Sequence, residues 1–273
     1  MLVNGIDIIN KAYKEGYAIG AYNVNNIEWA KVILEACQDD KAPVILAFTE
    51  NAVKYIGGYG VAVSIVKSLI KDQNIDIPVV IHLDHAKSFE SCKRAIDSGF
   101  TSVMIDASDK DFNENEEIVS KVAKYAHDKN VAVESELGNI DTNTLCTAYD
   151  CKEYVINTGI DFLAPAIGNK HGFYSSLDEL EYNLLGEICK EVKIPLVLHG
   201  GSFLDNNKIN TAIFCGVSKI NINTELQDAW AKAVKEYLKN NPDEYDPRKI
   251  IGSGISAIKK KVHEKNIIFG SKM

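Results

Sequence analysis

Short apolar segments alternate along the chain with longer segments in which apolar residues recur at helical spacing. The short segments are rich in branched residues and predict eight strands, at residues 18–24, 43–48, 78–85, 102–108, 132–138, 162–168, 195–200 and 219–223. Among the longer segments, residues 27–38 place Trp29, Val32, Ile33 and Ala36 on one face, as an amphipathic helix does. Strands that alternate with helices are typical of βαβ units, whose strands pair in parallel.

Eight such units without a break favour a closed (β/α)₈ barrel, the TIM barrel, formed by residues 1–273 as a single domain. An open doubly wound sheet is the alternative. Residues 1–16 predict an extra N-terminal helix, which we expect to cover the bottom of the barrel. Residues 246–265 add C-terminal helical sequence, and Pro247 suits the first turn of a helix.

Composition and charge exclude several classes of partner. Hydrophobic residues make up 46% of the chain and charged residues 25%, as in ordinary globular proteins. The formal net charge of −8 argues against binding to nucleic acid or to an anionic membrane. No segment approaches ~18 uninterrupted apolar residues, and no signal-peptide pattern is present, so we expect a cytoplasmic protein. The six cysteines form no CxxC pair, and we expect reduced structural thiols.

Four of the six histidines lie where predicted strands end. His82 and His85 end strand 3, His171 follows strand 6 and His199 ends strand 7. In a barrel of parallel strands these ends meet in one ring, and the loops that follow them form the active site. Neutral imidazoles that converge with carboxylates usually bind a divalent metal ion. The sequence therefore predicts a metal site at this rim.

Asp84 stands between the two histidines of strand 3, and two roles are open to it. Beside a metal-bound His85 it can act as a general base, because the cation keeps the carboxylate ionised. It can equally serve only to orient a ligand imidazole. His82 lies one step inside the rim, and we expect a structural role for it.

Two further motifs predict a phosphate site. HGGS at residues 199–202 follows strand 7, and NINT at residues 221–224 ends strand 8. Glycines let the backbone approach an anion closely, and Ser202 and Thr224 add hydroxyl donors. The loops after strands 7 and 8 are where barrels commonly bind phosphate.

A metal ion, a phosphate site and a carboxylate base together suit few reactions. We favour enolate formation from a phosphorylated ketone, in which the cation polarises the carbonyl and the carboxylate moves the proton. Hydrolysis by a metal-bound hydroxide is the alternative. Hydrolytic metal barrels usually carry an HxH pair early in the chain, and HLDH at residues 82–85 does not match that pattern.

Over nearly its whole length the chain resembles the class II, zinc-dependent ketose-bisphosphate aldolases. The motifs AYNVNN, IHLDHA, VMIDAS, VESELG, AIGNKHG, LHGGS, KININTEL and DPR occur in that family's order. The resemblance implies an aldolase that reversibly cleaves a ketose 1,6-bisphosphate to dihydroxyacetone phosphate and an aldehyde. Fructose 1,6-bisphosphate, which gives glyceraldehyde 3-phosphate, is the first expectation, and tagatose bisphosphate or a deoxy-sugar phosphate is the alternative.

The resemblance also implies roles for individual residues. Asp84 matches the family's proton-transferring aspartate. The implied metal ligands are His85, His171 and His199 for a catalytic Zn²⁺, with Asp106 and Glu136 at a second or alternative divalent position. The implied contacts to the phosphorylated ketose are Asn23, Thr49, Gly172, Gly200, Gly201, Ser202, Asn221, Ile222, Asn223, Thr224 and Arg248. Gly172 and Ser202 are also expected near a monovalent cation.

Arg248 matches an arginine that reaches the far phosphate of the substrate in a neighbouring subunit. The resemblance therefore implies a homodimer or a homotetramer.

The chain departs from the family pattern in several loops. After Gly138 the family usually has a glycine-rich loop with an acid, whereas here the sequence is NIDTNTLCTAYD, with Asp141 and Asp150 as the nearby acids. Phe203 and Asn51 stand where the family usually has glycine. Ser175 and Ser176 follow HGFY, where a lysine that faces the phosphate is often found.

Two other functions are also compatible with the sequence. One is a catalytically degenerate relative that binds metal and sugar phosphate as a sensor, which the missing loop acid suggests. The other is a Schiff-base aldolase that uses Lys170 or Lys219, although we expect Lys219 at the far end of strand 8 from the rim.

Overall fold

The computed structural model describes residues 1–140, 142–174 and 179–272. Eight parallel strands close into a barrel in chain order, and the last pairs with the first. The strands are β1 Ile19–Asn23, β2 Val44–Thr49, β3 Val79–Ala86, β4 Ser102–Ile105, β5 Ala132–Leu137, β6 Phe162–Pro165, β7 Leu196–Leu198 and β8 Val217–Ile222. The predicted TIM barrel is confirmed, and the open sheet is wrong.

Helices surround the barrel. In the described residues they are α1 Ile6–Glu15, α2 Ile27–Asp40, α3 Glu50–Ile56, α4 Tyr59–Asp72, α5 Phe89–Ser98, α6 Phe112–His127, α7 Ala148–Thr158, α8 Tyr182–Val192, α9 Asn206–Phe214, α10 Thr224–Asn240, α11 Pro247–Gly252 and α12 Ile255–Ile268. Two helices, α3 and α4, join β2 to β3, with Gly57 and Gly58 between them at φ 107° and 128°. Seven of these helices begin with a Ser, Thr, Asp or Asn side chain that accepts a first-turn N–H, for example Asn26 from Trp29.

The N-terminal helix covers the bottom of the barrel, as predicted. Ile9 and Ala12 of α1 are buried against apolar side chains at the amino ends of the strands, among them Val80 and Phe162. The segment before α1 is fixed by a backbone hydrogen bond from Val3 N to Val79 O of 2.9 Å. This apolar plug closes one end of the barrel, so the opposite end is left for polar side chains.

The barrel interior changes from apolar to charged along its axis. Because alternate residues of a strand face the same side, His82 lies one layer above Val80, and Asp84 one layer above His82. His82, Glu134 and Lys219 are at most 1% exposed and lie above the apolar plug. The strands thus deliver ionisable groups into the interior just below the rim.

The C-terminal segment 246–265 is helical as predicted, and it is divided into two helices. The break falls at Ser253 and Gly254, between α11 and α12. A Cβ atom on Gly254 would lie 2.3 Å from Cδ1 of Trp230, and Trp230 Nε1 donates to Ile251 O at 3.2 Å. The indole packs against the backbone here, and this contact sets the position of the turn.

Within the described residues, no single helix is both long and apolar enough to cross a membrane. Helices α3 and α4 pass the length and composition test only together, and they are bent by 78° relative to each other.

We predict that Gly254→Ala destabilises the protein by about 1–3 kcal/mol, because the new methyl group overlaps the Trp230 ring. Gly252→Ala is the matched control, since nothing lies within 4 Å of its Cβ position; it should be neutral or stabilising by up to about 1 kcal/mol. Urea unfolding followed by tryptophan fluorescence measures both. Equal stability of the two variants would contradict the packing described.

Candidate active site

A bulge at the end of β3 brings consecutive residues to the same rim. In a regular strand Asp84 and His85 would face opposite sides. The pairing register between β3 and β4 shifts between Leu83 and Ala86, and His85 has a left-handed backbone with φ 52°. A bulge re-aims a side chain in this way. Strain of about 1–3 kcal/mol at a non-glycine residue of this kind is common at functional sites.

Three imidazoles meet at the rim. Their ring centres lie 4.7 Å apart for His85 and His199, 5.2 Å for His85 and His171, and 6.3 Å for His171 and His199. One nitrogen from each ring lies within 4.8 Å of the others. Three imidazole nitrogens that converge from one strand and the segments after two others are a donor set suited to a divalent metal ion with one open position. The residues present therefore fit the metal that the sequence predicts.

A second group of donors shares one of these imidazoles. Donor atoms of His85, Asp106 and Glu136 also lie within 4.8 Å of one another. Asp106 Oδ2 is 3.0 Å from His85 Nδ1 and accepts from Lys87 Nζ at 2.7 Å. Burial alone would raise the pKa of Asp106, but hydrogen bonds to His85 and Lys87 hold it well below its usual range. Asp106 is thus an ionised carboxylate that can orient His85 or bind a cation itself.

Two carboxylates hold His199, which is fully buried. Its Nε2 is 2.9 Å from Glu134 Oε1 and its Nδ1 is 3.3 Å from Glu136 Oε2. Burial lowers the pKa of His199, but these two hydrogen bonds raise it to about 9. In the metal-free protein both ring nitrogens therefore carry a proton at neutral pH. A metal ion must displace one of these protons when it binds.

Asp84 is held by two amides. Asn23 Nδ2 donates to Oδ2 at 2.8 Å, and Asn221 Nδ2 donates to Oδ1 at 3.2 Å. Burial would raise the pKa of Asp84, but the nearby charge of His85, followed by that of Lys219, lowers it to about 2. The carboxylate is ionised at neutral pH and lies 3.9 Å from His85 Nε2. It is placed as a base beside the imidazole cluster.

Asp84, His85 and His171 open into a cavity of about 110 Å³. Its lining is Asn23, Thr49, Asp84, His85, His171, Gly172, Gly200, Ser202, Asn221, Asn223 and Thr224. Gly200 has φ 71°, and a Cβ there would lie 2.0 Å from Lys170 O, so only glycine fits. Ser202 Oγ accepts from the N–H groups of Asn223 and Glu225 at 3.2 Å each, which joins the β7 loop to the first turn of α10.

Three of the predicted substrate contacts do not line this cavity. Gly201 packs against the barrel, since a Cβ there would lie 2.4 Å from Ile220 Cγ2. The Ile222 side chain is fully buried in the hydrophobic core, because it faces away from the barrel axis. The Arg248 side chain is 89% exposed and pairs with Asp246 at 2.8 Å. For these residues only the backbone or a neighbouring subunit remains as a route to a ligand.

The loop after Gly138 folds back on itself. Asn139 and Thr144 exchange backbone hydrogen bonds of 2.8 and 2.9 Å. Asp150 lies in the first turn of α7, and its carboxylate accepts from Oγ1 of Thr147, the N-cap residue, at 2.7 Å. Asp150 is therefore engaged away from the cavity. Asp141, Ser175 and Ser176 lie outside the described residues.

The other departures are built into the rim. Phe203 occupies a left-handed conformation with φ 61°, which favours glycine, and its ring stacks on Phe173 at 4.5 Å. Asn51 lines a larger cavity of about 710 Å³ next to the first cavity. This second cavity shares Thr49 and Asn223 with the first.

Two buried residues were not predicted as part of the site. Glu134 contacts His199, and Lys219 Nζ lies 2.7 Å from Glu134 Oε2. Lys219 lies inside the barrel below the rim rather than at the far end of β8, and its ion pair leaves no accessible amine for a Schiff base. Lys170 Nζ lies 5.5 Å from the centre of the Tyr174 ring and is not among the residues that line the cavity. The alternation of side-chain direction along β5 and β8 could have identified Glu134 and Lys219 as interior residues. Each stands two positions before a rim residue, Glu136 and Asn221, and so faces the same side of its strand.

A family model described as "Fructose-bisphosphate aldolase class-II" matches residues 3–273. The chain is 48% identical over 279 residues to a fructose-bisphosphate aldolase of Geobacillus stearothermophilus, covering 99% of this chain and 97% of the relative. It is equally similar, at 48%, to a fructose-bisphosphate aldolase of Staphylococcus epidermidis, covering 99% and 98%.

Among solved structures, the YdjI aldolase from Escherichia coli K12 superposes with a TM-score of 0.89 at 34% identity, covering 100% of this chain and 98% of that chain. A fructose-bisphosphate aldolase from Campylobacter jejuni superposes with a TM-score of 0.84 at 26% identity, covering 99% and 96%.

We predict that replacing His85, His171 or His199 singly by Ala weakens zinc binding by more than the roughly 10- to 100-fold that loss of an outer-shell partner costs. Each substitution removes one of three converging nitrogen donors. His127→Ala is the control, because His127 lies on α6 and pairs with Asp161 at 3.0 Å. Equilibrium dialysis with metal analysis measures the affinities. Zinc affinity equal to that of the control would exclude the residue as a ligand.

Proposed function

This chain belongs to the class-II fructose-bisphosphate aldolase family, and we propose that it reversibly cleaves fructose 1,6-bisphosphate to dihydroxyacetone phosphate and glyceraldehyde 3-phosphate. The observation that carries the proposal is a cluster of three imidazoles beside a small cavity that the ionised Asp84 lines together with two of them, His85 and His171. The names of the curated relatives support fructose 1,6-bisphosphate as the substrate.

We propose Zn²⁺ as the metal, held by His85, His171 and His199. Three neutral imidazoles are a common ligand set of catalytic zinc, and they leave the fourth position for a substrate oxygen. When bound there, the cation supplies Lewis-acid stabilisation of the negative charge that develops on the ketone oxygen. Asp106 and Glu136 support a second or alternative divalent position that shares His85.

Asp84 is proposed as the group that moves the proton. Cleavage requires a base to take the proton of the C4 hydroxyl, while the electron pair of the C3–C4 bond passes to the C2 carbonyl. Asp84 is ionised, lines the cavity and has its orientation fixed by Asn23 and Asn221. The fixed amides keep the carboxylate aimed at the reacting atoms through the reaction.

The glycines and the α10 amino terminus are proposed to hold the phosphate of the dihydroxyacetone half. Gly172, Gly200, Ser202, Asn223 and Thr224 line one part of the cavity. Amides at the start of a helix favour an anion, which is needed because the chain as a whole is negative. We keep a monovalent cation near Gly172 and Ser202, and a cytoplasmic location, as predictions.

Two alternatives to fructose-bisphosphate cleavage are a catalytically degenerate relative and an aldolase that prefers tagatose bisphosphate. A degenerate metal-binding relative has no need of an ionised carboxylate clamped by two amides, so we do not favour it. Tagatose bisphosphate differs from fructose bisphosphate only in configuration at C4. Comparison of kcat/KM for the two sugars therefore decides the preference.

We predict that Asp84→Asn lowers kcat for fructose 1,6-bisphosphate cleavage by about 10²- to 10⁴-fold. The amide keeps the shape of the side chain but cannot accept the proton. A coupled assay of dihydroxyacetone phosphate measures kcat, and zinc content is measured on the same samples. EDTA should abolish wild-type turnover. Turnover that survives EDTA, or an Asp84→Asn variant that is fully active, would contradict the mechanism.

A shared site between subunits is also proposed, because Arg248 is exposed, pairs with Asp246 and does not line the cavity of its own chain. We predict that Asp84→Asn and Arg248→Ala homodimers are each nearly inactive. Random mixing of the two subunits should restore about a quarter of the wild-type sites, since half the dimers then hold one intact site. Coexpression of differently tagged chains and assay of the mixture measures this. Arg248 does not act across the interface if the mixed preparation gains no activity.

A further inference from the structure

We propose that Lys219 is a positioning residue which holds the imidazole of His199 and the carboxylate of Asp84 in their working orientations. The inference rests on the metal site and base proposed above. It assigns a role to an ion pair inside the barrel that contacts neither substrate nor metal.

The ion pair is sealed from water. Lys219 is 1% exposed and Glu134 is fully buried, with Nζ 2.7 Å from Oε2. Taking two opposite charges out of water costs several kcal/mol per ion before their mutual attraction is counted. An apolar pair of similar volume would be as stable or more stable at such a position. Stability alone therefore does not account for the pair.

Glu134 connects the ion pair to the imidazole cluster. Glu134 uses its other oxygen, Oε1, to bind His199 Nε2 at 2.9 Å. An ionised carboxylate only accepts hydrogen bonds, so His199 Nε2 must carry the hydrogen. Nδ1 is then the nitrogen left for a metal, and it lies on the side of Glu136, at 3.3 Å. The hydrogen bond thus selects the ring tautomer and the ring orientation.

Lys219 connects the ion pair, through Asn221, to the proposed base Asp84. Lys219 Nζ donates to Asn221 Oδ1 at 2.9 Å. With its oxygen occupied, the Asn221 amide presents its NH₂ group to Asp84 Oδ1, at 3.2 Å. A flipped amide would place an oxygen against the carboxylate and repel it. Lys219 therefore fixes the direction of the amide that holds Asp84.

The experiment neutralises the pair without leaving a lone buried charge. The variant Lys219→Met with Glu134→Gln keeps the shape at position 134 and shortens the side chain at position 219 by one atom, and we expect it to fold. The new amide at position 134 can offer its NH₂ group to His199, so hydrogen on Nε2 is no longer enforced. We expect zinc affinity to fall about 10- to 100-fold, as for loss of an outer-shell partner. With saturating zinc, kcat should also fall, because the thioether at position 219 cannot orient Asn221.

The matched control is another buried ion pair. Lys265, 3% exposed, pairs with Glu225 at 2.8 Å on the outside of the barrel. Lys265→Met with Glu225→Gln removes the same two charges but touches none of the imidazoles. Zinc affinity should remain within about twofold of wild type in this control. A folded Lys219→Met, Glu134→Gln variant that binds zinc as tightly as the control overturns the proposal.

Histidine ¹⁵N NMR of the zinc-loaded wild type tests the hydrogen bond between Glu134 and His199 without a substitution at either residue, and it can overturn the proposal even if the double variant does not fold. We expect the signal that disappears in His199→Gln to show hydrogen on Nε2 and zinc on Nδ1. The opposite tautomer overturns the proposal. Neither zinc affinity nor the tautomer depends on turnover, so failure of the aldolase assay alone would refute the proposed function and leave this inference standing.

Discussion

The burial of charge inside the barrel is the constraint on which the site depends. Asp84, Glu134 and Glu136 are at most 3% exposed, and an isolated carboxylate in such surroundings is costly. Each therefore has fixed partners, namely amides for Asp84, Lys219 and His199 for Glu134, and His199 with the Ile140 N–H for Glu136. Groups held in this way lose little orientation when a ligand arrives, which is the condition for precise proton transfer.

Periodicity was sufficient to predict the barrel, and the polar residues at strand ends were sufficient to predict the rim. The closure of parallel strands brings His85, His171 and His199 together although they are far apart in the chain. The bulge at His85 could not be predicted, because it depends on the register between β3 and β4. The turn at Gly254 was missed for a similar reason, since it depends on contact with Trp230, which lies on another helix.

The interior ion pair between Glu134 and Lys219 could not be predicted from the sequence, for a different reason. Glu134 and Lys219 stand in strands where charged residues look unfavourable, and nothing local to either strand indicates that they meet. His82 is similar, with its Nδ1 bound to Ser102 at 2.8 Å. Burial, followed by the charge of Lys219, lowers the pKa of His82 to about 3, so the ring stays neutral, in keeping with the structural role expected for it.

The departures from the family pattern lie after strand ends, with Asn51 in the first turn of α3. Of the proposed ligands and base, Asp84 and His85 stand in β3, His199 directly follows β7, and His171 lies in the loop after β6. Phe203, Asn51 and the described residues of the loop after Gly138 do not belong to the imidazole cluster, and none of them lines the small cavity. Cleavage leaves C3 in need of a proton, and Asp150, one of the acids next to the shortened loop, is engaged at the start of α7. Two parts of the proposed reaction therefore rely on different parts of the structure. In the proposed mechanism, bond breaking depends on Asp84 and the imidazoles, while the return of the proton and the choice of aldehyde are left to the loops around them.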